Sequence, residues 1–210
     1  MTDRDSVHKV IISGTGRAGT TFLVKLLTKL GLDTGFDDAD LPLDLNAQAG
    51  LEHDLLQPNG PYIVKSPWIC DSIHYAMHRG GMVIDHAIVP MRPLRQAAAS
   101  RVRVSEVAGA FDSGADVATR EVPGGLWHTA DPERQRDALA RQFFKLMMAL
   151  ARYEIPHTLM EFPRLVEDPA YTYRKLAPVL EDVGWSAFLG AFQRVAQPEL
   201  VHDFSDQRAD

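Results

Sequence analysis

The sequence predicts an α/β fold with three layers, in which a central parallel sheet is covered by helices on both faces. Short β-branched runs such as residues 9–13 alternate along the chain with stretches of helical periodicity such as residues 20–30. Strands that alternate with helices are joined by crossover connections, and these produce parallel sheets. Because the 210 residues contain no internal repeat and no obvious linker, we expect one domain over residues 1–210.

The predicted elements follow from local patterns along the chain. Residues 9–13 end at a glycine-rich turn, which indicates a buried strand. The next helix ends at Gly31, and its apolar side chains recur at helical spacing: Phe22, Leu23, Leu26, Leu27 and Leu30. Further strands are expected at residues 62–64, 83–89 and 157–162, with helices after Pro93, over residues 132–153 and in the C-terminal third. Residues 109–130 have many glycines and no clear period, so we expect a long loop or partly ordered lid there.

Composition and charge exclude several classes of function. Apolar residues make up 45% and charged residues 24% of the chain, as in soluble globular proteins. A net charge of −6 argues against a general nucleic-acid-binding surface. No apolar run approaches the roughly 20 residues that a bilayer requires, and the polar N-terminus predicts a cytoplasmic protein without a signal peptide. Cys70 is the only cysteine, which excludes an internal disulfide and a multi-cysteine metal site. A homodimer is left open.

The turn between the first strand and the first helix predicts a phosphate-binding loop. A glycine-rich turn at this place lets the backbone approach an anion, towards which N–H groups and the positive end of the helix then point. Arg17 adds a guanidinium group that can donate two hydrogen bonds to a phosphate, and threonine hydroxyls follow it in the first turn of the helix. The residues expected to bind phosphate are Gly14, Gly16, Arg17, Ala18, Gly19, Thr20 and Thr21.

Three phosphate-loop patterns compete for this turn. A kinase-type loop fits except that Thr20 occupies the position of the lysine that reaches the β- and γ-phosphates, and Asp85 could act as its metal-holding aspartate. A dinucleotide-binding loop fits the glycine spacing, but its acidic residue would be Asp33, which no predicted strand precedes. The third pattern has support elsewhere in the chain.

In this third pattern, the chain resembles the sulfotransferase family. Residues 17–23 read Arg-Ala-Gly-Thr-Thr-Phe-Leu, and the family's 5′-phosphosulfate loop has a basic residue, then Ser/Ala-Gly-Thr-Thr and an apolar helix. Arg92 opens an Arg-x-Pro segment with Ser100 eight residues later, a pair with which the family holds the 3′-phosphate of its donor. Lys65 resembles the family's lysine directed at the transferring group, and residues 157–169 resemble its late strand and Leu-x-x-Asp-Pro turn.

The resemblance covers about residues 8–184 and implies a P-loop-type fold with 3′-phosphoadenylyl sulfate (PAPS) as donor and adenosine 3′,5′-bisphosphate (PAP) as product. It implies transfer of a sulfuryl group to a hydroxyl or amine of a small-molecule or carbohydrate acceptor, with no metal required. Arg17 and Lys65 would stabilise the charge that develops during the transfer. Residues 41–56 and the loop at 109–130 would shape the acceptor pocket, to which Trp127 could add an aromatic wall, whereas Trp68 is expected in the core.

The base that would deprotonate the acceptor is absent from the family's usual position, where Pro67 stands. Asp38, in the acidic segment after the first helix, is the predicted base, and Asp71, His53 and His74 are further candidates. The missing base also leaves open a nucleotide-binding module without catalytic activity.

Overall fold

Six strands and seven α-helices form the part of the chain that the computed structural model describes, namely residues 6–38, 43–44, 49–57, 59–111, 124–129 and 131–198. The strands are β1 Val7–Ile12, β2 Leu43–Asp44, β3 Ala49–Gly50, β4 Ile63–Lys65, β5 Met82–Met91 and β6 His157–Glu161. The helices are α1 Thr20–Lys29, α2 Ile69–Arg79, α3 Leu94–Phe111, α4 Gln135–Arg152, α5 Arg164–Glu167, α6 Pro169–Leu176 and α7 Trp185–Val195.

The central sheet is parallel, with its four strands in the order β4-β1-β5-β6. Successive side chains of β1 point to opposite faces of this sheet. Val10 and Ile12 pack in a core cluster with α1, α6 and α7, whereas Ile11 packs in a second cluster with α2 and α4. Helices therefore cover both faces, and the predicted three-layer α/β fold is confirmed.

Two helices differ from the sequence prediction, and the short strands β2 and β3 are not predicted. The pattern at residues 69–79 does not predict α2, because the buried face is narrow and the rest of the helix is mostly polar or aromatic. The buried residues are Ile69, Cys70, Ile73 and Ala76. Helix α3 continues to Phe111, so residues 109–111 of the predicted loop are helical. Residues 124–129 contain neither helix nor strand, and the rest of the range 109–130 lies outside the described residues. No helix in the described ranges combines the length and apolar character needed to cross a membrane.

The strand order brings three connections to one edge of the sheet. Strand β1 lies between β4 and β5, so the segments that leave their carboxyl ends are neighbours. These segments are the glycine-rich turn after Ile12, Ser66 after β4 and Arg92 after β5. Ligands of parallel α/β sheets bind at this edge. A ligand-binding site is therefore expected here.

Candidate functional site

The turn after β1 needs glycine at particular positions. Gly16, Arg17 and Gly19 all have positive φ, at 66°, 53° and 83°. Gly19 is the N-cap of α1 and has no side chain with which to cap the helix. A Cβ at Gly14 would lie 2.6 Å from the carbonyl oxygen of Pro90, so glycine lets the turn lie directly against β5. The N–H groups at the start of α1 therefore have no side-chain cap and are available to an anion.

Gly16 should tolerate alanine worse than another glycine of the same backbone conformation. At Gly16 a Cβ would lie 2.2 Å from Nη2 of Arg101, whereas at Gly31 (φ 80°) no described atom lies within 4 Å of a Cβ. We expect Gly31→Ala to lower the free energy of unfolding by about 1 kcal/mol, through backbone strain alone. Gly16→Ala should lower it by about 2–4 kcal/mol, because overpacking adds to that strain. Urea denaturation of both variants measures the difference, and equal losses would contradict the close packing of Arg101 on the turn.

Arg17, Ser100 and Arg92 are joined by hydrogen bonds although they come from three segments. Arg17 Nε donates to Ser100 Oγ at 3.1 Å, and Arg92 Nη1 donates to the carbonyl oxygen of Arg17 at 3.3 Å. Arg92 also donates to Gln96 and lies over the ring of Phe162, with 4.9 Å between Cζ and the ring centroid. Arg92 and Ser100 are buried. The residues predicted for the 5′- and 3′-phosphates are therefore in contact in the folded chain.

Lys65 lies beside the same turn and has a carboxylate partner that the sequence does not predict. Its Nζ donates to Thr21 Oγ1 at 3.3 Å, to the carbonyl oxygen of Gly50 at 2.5 Å and to Glu52 Oε1 at 2.6 Å. Lys65 is 5% exposed, and burial lowers the pKa of its ammonium while Glu52 acts in the opposite direction. Glu52 is part of no periodic pattern in the sequence, so its contact with Lys65 becomes evident only in the folded chain.

Besides Arg92, three cations lie around the turn: Arg17, Lys65 and Arg101. Burial lowers the pKa of each of them, and the charge of Arg17 lowers the pKa of the other two further. Cations that have lost water and repel one another are stabilised when an anion binds between them. The electrostatics at this edge of the sheet therefore favour an anionic ligand.

Comparison with solved structures identifies a similar fold. The sulfotransferase domain from the Synechococcus PCC 7002 olefin synthase matches 93% of this chain with 82% of its own length, at a TM-score of 0.50 and 16% sequence identity. The chain has a sulfotransferase-like fold. At this identity the likeness concerns the fold alone. No protein-family model matches the chain, and no curated protein matches it.

Asp38, the predicted base, is not brought together with Arg17 and Lys65. Its carboxylate pairs with Lys29 in the last turn of α1, whereas the phosphate-binding turn precedes the first turn of that helix. A helix of 10 residues separates its two ends by about 13 Å. The structure therefore places Asp38 towards the far end of α1 from the cationic cluster.

The other side chains considered for the site are distributed around it. His53 donates its backbone N–H to the carbonyl oxygen of Lys65, and its ring packs on Phe36. His74 bonds to Tyr153, and Asp71 pairs with Lys145 and His128. Trp127 is nearly buried, whereas Trp68 is 46% exposed, so the expectation of Trp68 in the core is wrong. Its place at the N-cap of α2, directly after Pro67, keeps it at the surface.

The acidic residues that the two competing loop patterns need lie at the opposite edge of the sheet. Tyr62, just before β4, donates its N–H to Asp33 Oδ2 at 2.8 Å and its hydroxyl to Asp85 Oδ2 at 2.9 Å. Asp85 also contacts His8, near the start of β1. An aspartate at the amino ends of the strands cannot reach a ligand at their carboxyl ends, which weakens both the kinase and the dinucleotide interpretations.

Proposed function

We propose that the chain is a sulfotransferase that moves a sulfuryl group from PAPS to a hydroxyl or amine of a small-molecule or carbohydrate acceptor. The hydrogen-bonded contact of Arg17 with Ser100 and Arg92 carries this proposal, because the groups expected at the two phosphate ends of PAP are neighbours. Arginine forks and a serine hydroxyl suit phosphate oxygens. The sulfotransferase-like fold supports the same assignment.

The residues around the turn fit the anionic donor. Ser13 Oγ is buried and has no hydrogen-bond partner among the described residues, so it is available to a phosphate oxygen. Thr20 and Thr21 would hold the 5′-phosphate with the N–H groups at the start of α1, while Arg92 and Ser100 would hold the 3′-phosphate. When bound, the donor supplies the sulfuryl group and PAP is the leaving group.

Lys65 and Arg17 would stabilise the charge that develops on the transferring and leaving oxygens. Both are already desolvated and held by hydrogen bonds to Thr21 and Ser100, so they need little reorganisation during the transfer. Hydrogen bonds from Lys65 to Gly50 and Glu52 keep its Nζ at the carboxyl end of β4. Positioning and preorganised positive charge would supply most of the acceleration.

We assign the base to Glu52 in place of Asp38. Glu52 contacts Lys65 directly, and 29% of its side chain is exposed, so an acceptor can reach it. Its carboxylate would take the proton of the acceptor hydroxyl or amine as the acceptor atom bonds to sulfur and the bond from sulfur to the phosphate oxygen of PAP breaks.

Calorimetric titration with PAP, compared with ATP plus Mg²⁺ and with NAD, tests the proposed donor. We expect PAP to bind with a dissociation constant in the micromolar range or below without added metal, and more tightly than the other two ligands. Preference for ATP with Mg²⁺ would refute the donor and indicate a kinase. Binding of PAP without transfer from PAPS to any acceptor in a broad panel would indicate a non-catalytic binding module.

A further inference from the structure

Arg101 connects the phosphate-binding turn to a distant segment of the chain. It follows Ser100 in α3 and is 5% exposed. Its Nη2 and Nε donate to the carbonyl oxygen of Thr15 at 3.1 and 3.4 Å, and its Nη1 donates to the carbonyl oxygen of Gly125 at 2.7 Å. Its Cζ also lies 5.2 Å from the ring centroid of Trp127. One guanidinium thus holds the turn and residues 124–128, which we call the 124–128 segment.

The 124–128 segment is anchored on its other side as well. The N–H of Leu126 donates to Ser105 Oγ at 2.9 Å, and the N–H of Trp127 donates to Gln135 Oε1 at 2.7 Å. Gln135 is fully buried and returns a hydrogen bond to the carbonyl oxygen of Trp127. This pairing fixes the backbone directly before His128.

His128 adopts a backbone conformation that needs such support. Its φ is 57°, which costs a residue with a Cβ about 1 kcal/mol or more. Its Nε2 lies 3.3 Å from Asp71 Oδ2, in the first turn of α2. Helix α2 follows Lys65 after a short connection. The 124–128 segment therefore lies between the donor side of the site and the helix that follows the catalytic lysine.

We propose that Arg101 is a positioning residue that couples anion binding at the phosphate-binding turn to the order of the 124–128 segment, part of the loop that the sequence predicts to shape the acceptor pocket. The proposal rests on the function proposed above. An anion at the turn offsets the repulsion between Arg101 and Arg17. It also accepts hydrogen bonds from the N–H groups of the turn, and this fixes the turn that contains the Thr15 carbonyl to which Arg101 donates. Both effects strengthen the hydrogen bond from the guanidinium to the carbonyl oxygen of Gly125. Donor binding then prepares the acceptor side through one side chain, whose hydrogen bonds go to the carbonyl oxygens of Thr15 and Gly125.

Hydrogen exchange of the Leu126 and Trp127 amides, followed by NMR on the full chain, tests the coupling. Without ligand, Arg101→Met should speed exchange of both amides by about tenfold. The variant loses the guanidinium charge and its hydrogen bond to the carbonyl oxygen of Gly125. Saturating PAP should slow exchange of these amides in the wild type by several-fold. In Arg101→Met, PAP should still bind, as calorimetry would show, without slowing them. Arg101→Lys keeps the charge and should restore part of this response.

Arg103→Met is the matched control, because Arg103 is an exposed arginine two residues further along the same helix. It should leave exchange and its response to PAP unchanged. Unchanged exchange in ligand-free Arg101→Met, or an undiminished response to PAP in that variant, would overturn the proposal. Inorganic pyrophosphate serves as a second anion. If it binds and PAP does not, the donor assignment fails while the same comparison still decides the role of Arg101. If neither anion binds, both proposals fail.

Discussion

Replacing Arg17 with methionine is expected to weaken the binding of PAP by about 100-fold, which corresponds to about 2.7 kcal/mol. The Arg17 guanidinium is bonded to Ser100, and Arg92 is bonded to the backbone carbonyl oxygen of Arg17, so the guanidinium can reach a phosphate oxygen in a partly buried place. Charge-assisted bonds in such surroundings are about twice as strong as neutral ones. Calorimetric titration with PAP measures the loss.

Two other arginines make this prediction specific. Arg92→Met should weaken PAP binding by a similar factor, because Arg92 is buried beside Arg17 and is predicted to hold the 3′-phosphate. Arg103→Met removes the same charge from an exposed position on α3 and should change the affinity less than about twofold, since surface charges are screened. Thermal unfolding of each variant checks that the fold persists. Wild-type affinity in both Arg17→Met and Arg92→Met would disprove the site.

Replacing Glu52 with glutamine is expected to lower the rate of sulfuryl transfer by about 100- to 10,000-fold, the usual contribution of a positioned base. Glutamine has nearly the same shape and can still accept a hydrogen bond from Lys65, but it cannot take a proton from the acceptor. Binding of PAP should be unchanged or slightly tighter, because a negative charge near the anion has been removed. The rate is measured with radiolabelled PAPS and an acceptor found by screening, and the affinity by calorimetry.

Asp38→Asn is the comparison that separates the two candidate bases. Because Asp38 pairs with Lys29 near the far end of α1, this variant should keep the transfer rate of the wild type. A slow Asp38→Asn with an active Glu52→Gln would reverse the assignment and return Asp38 to the role predicted from the sequence. A loss of PAP affinity in Glu52→Gln as large as its loss of rate would show instead that Glu52 shapes the donor site.

Local patterns predict most of the scaffold. The strand before the glycine-rich turn, the helix after it and the last strand follow from β-branched runs, helical spacing and glycine, which depend on a few neighbouring residues. The pattern Arg92 to Ser100 is local too, since both residues border or occupy one helix. Helix α2 is not predicted, because its apolar face is narrow and most of its other residues are polar or aromatic.

Local sequence patterns are sufficient to predict the layered α/β fold and the residues that form the turn at the end of β1, because backbone conformation and periodicity depend on near neighbours. Which side chains become partners depends on the packing of distant segments. Glu52 reaches Lys65, and Arg101 reaches Thr15 and Gly125, only because strand order and buried connections bring separate segments together. The same packing places Asp38 beside Lys29. The partner of a charged side chain cannot be predicted from its position along the chain, since a long side chain can pair with any segment that the fold brings within reach.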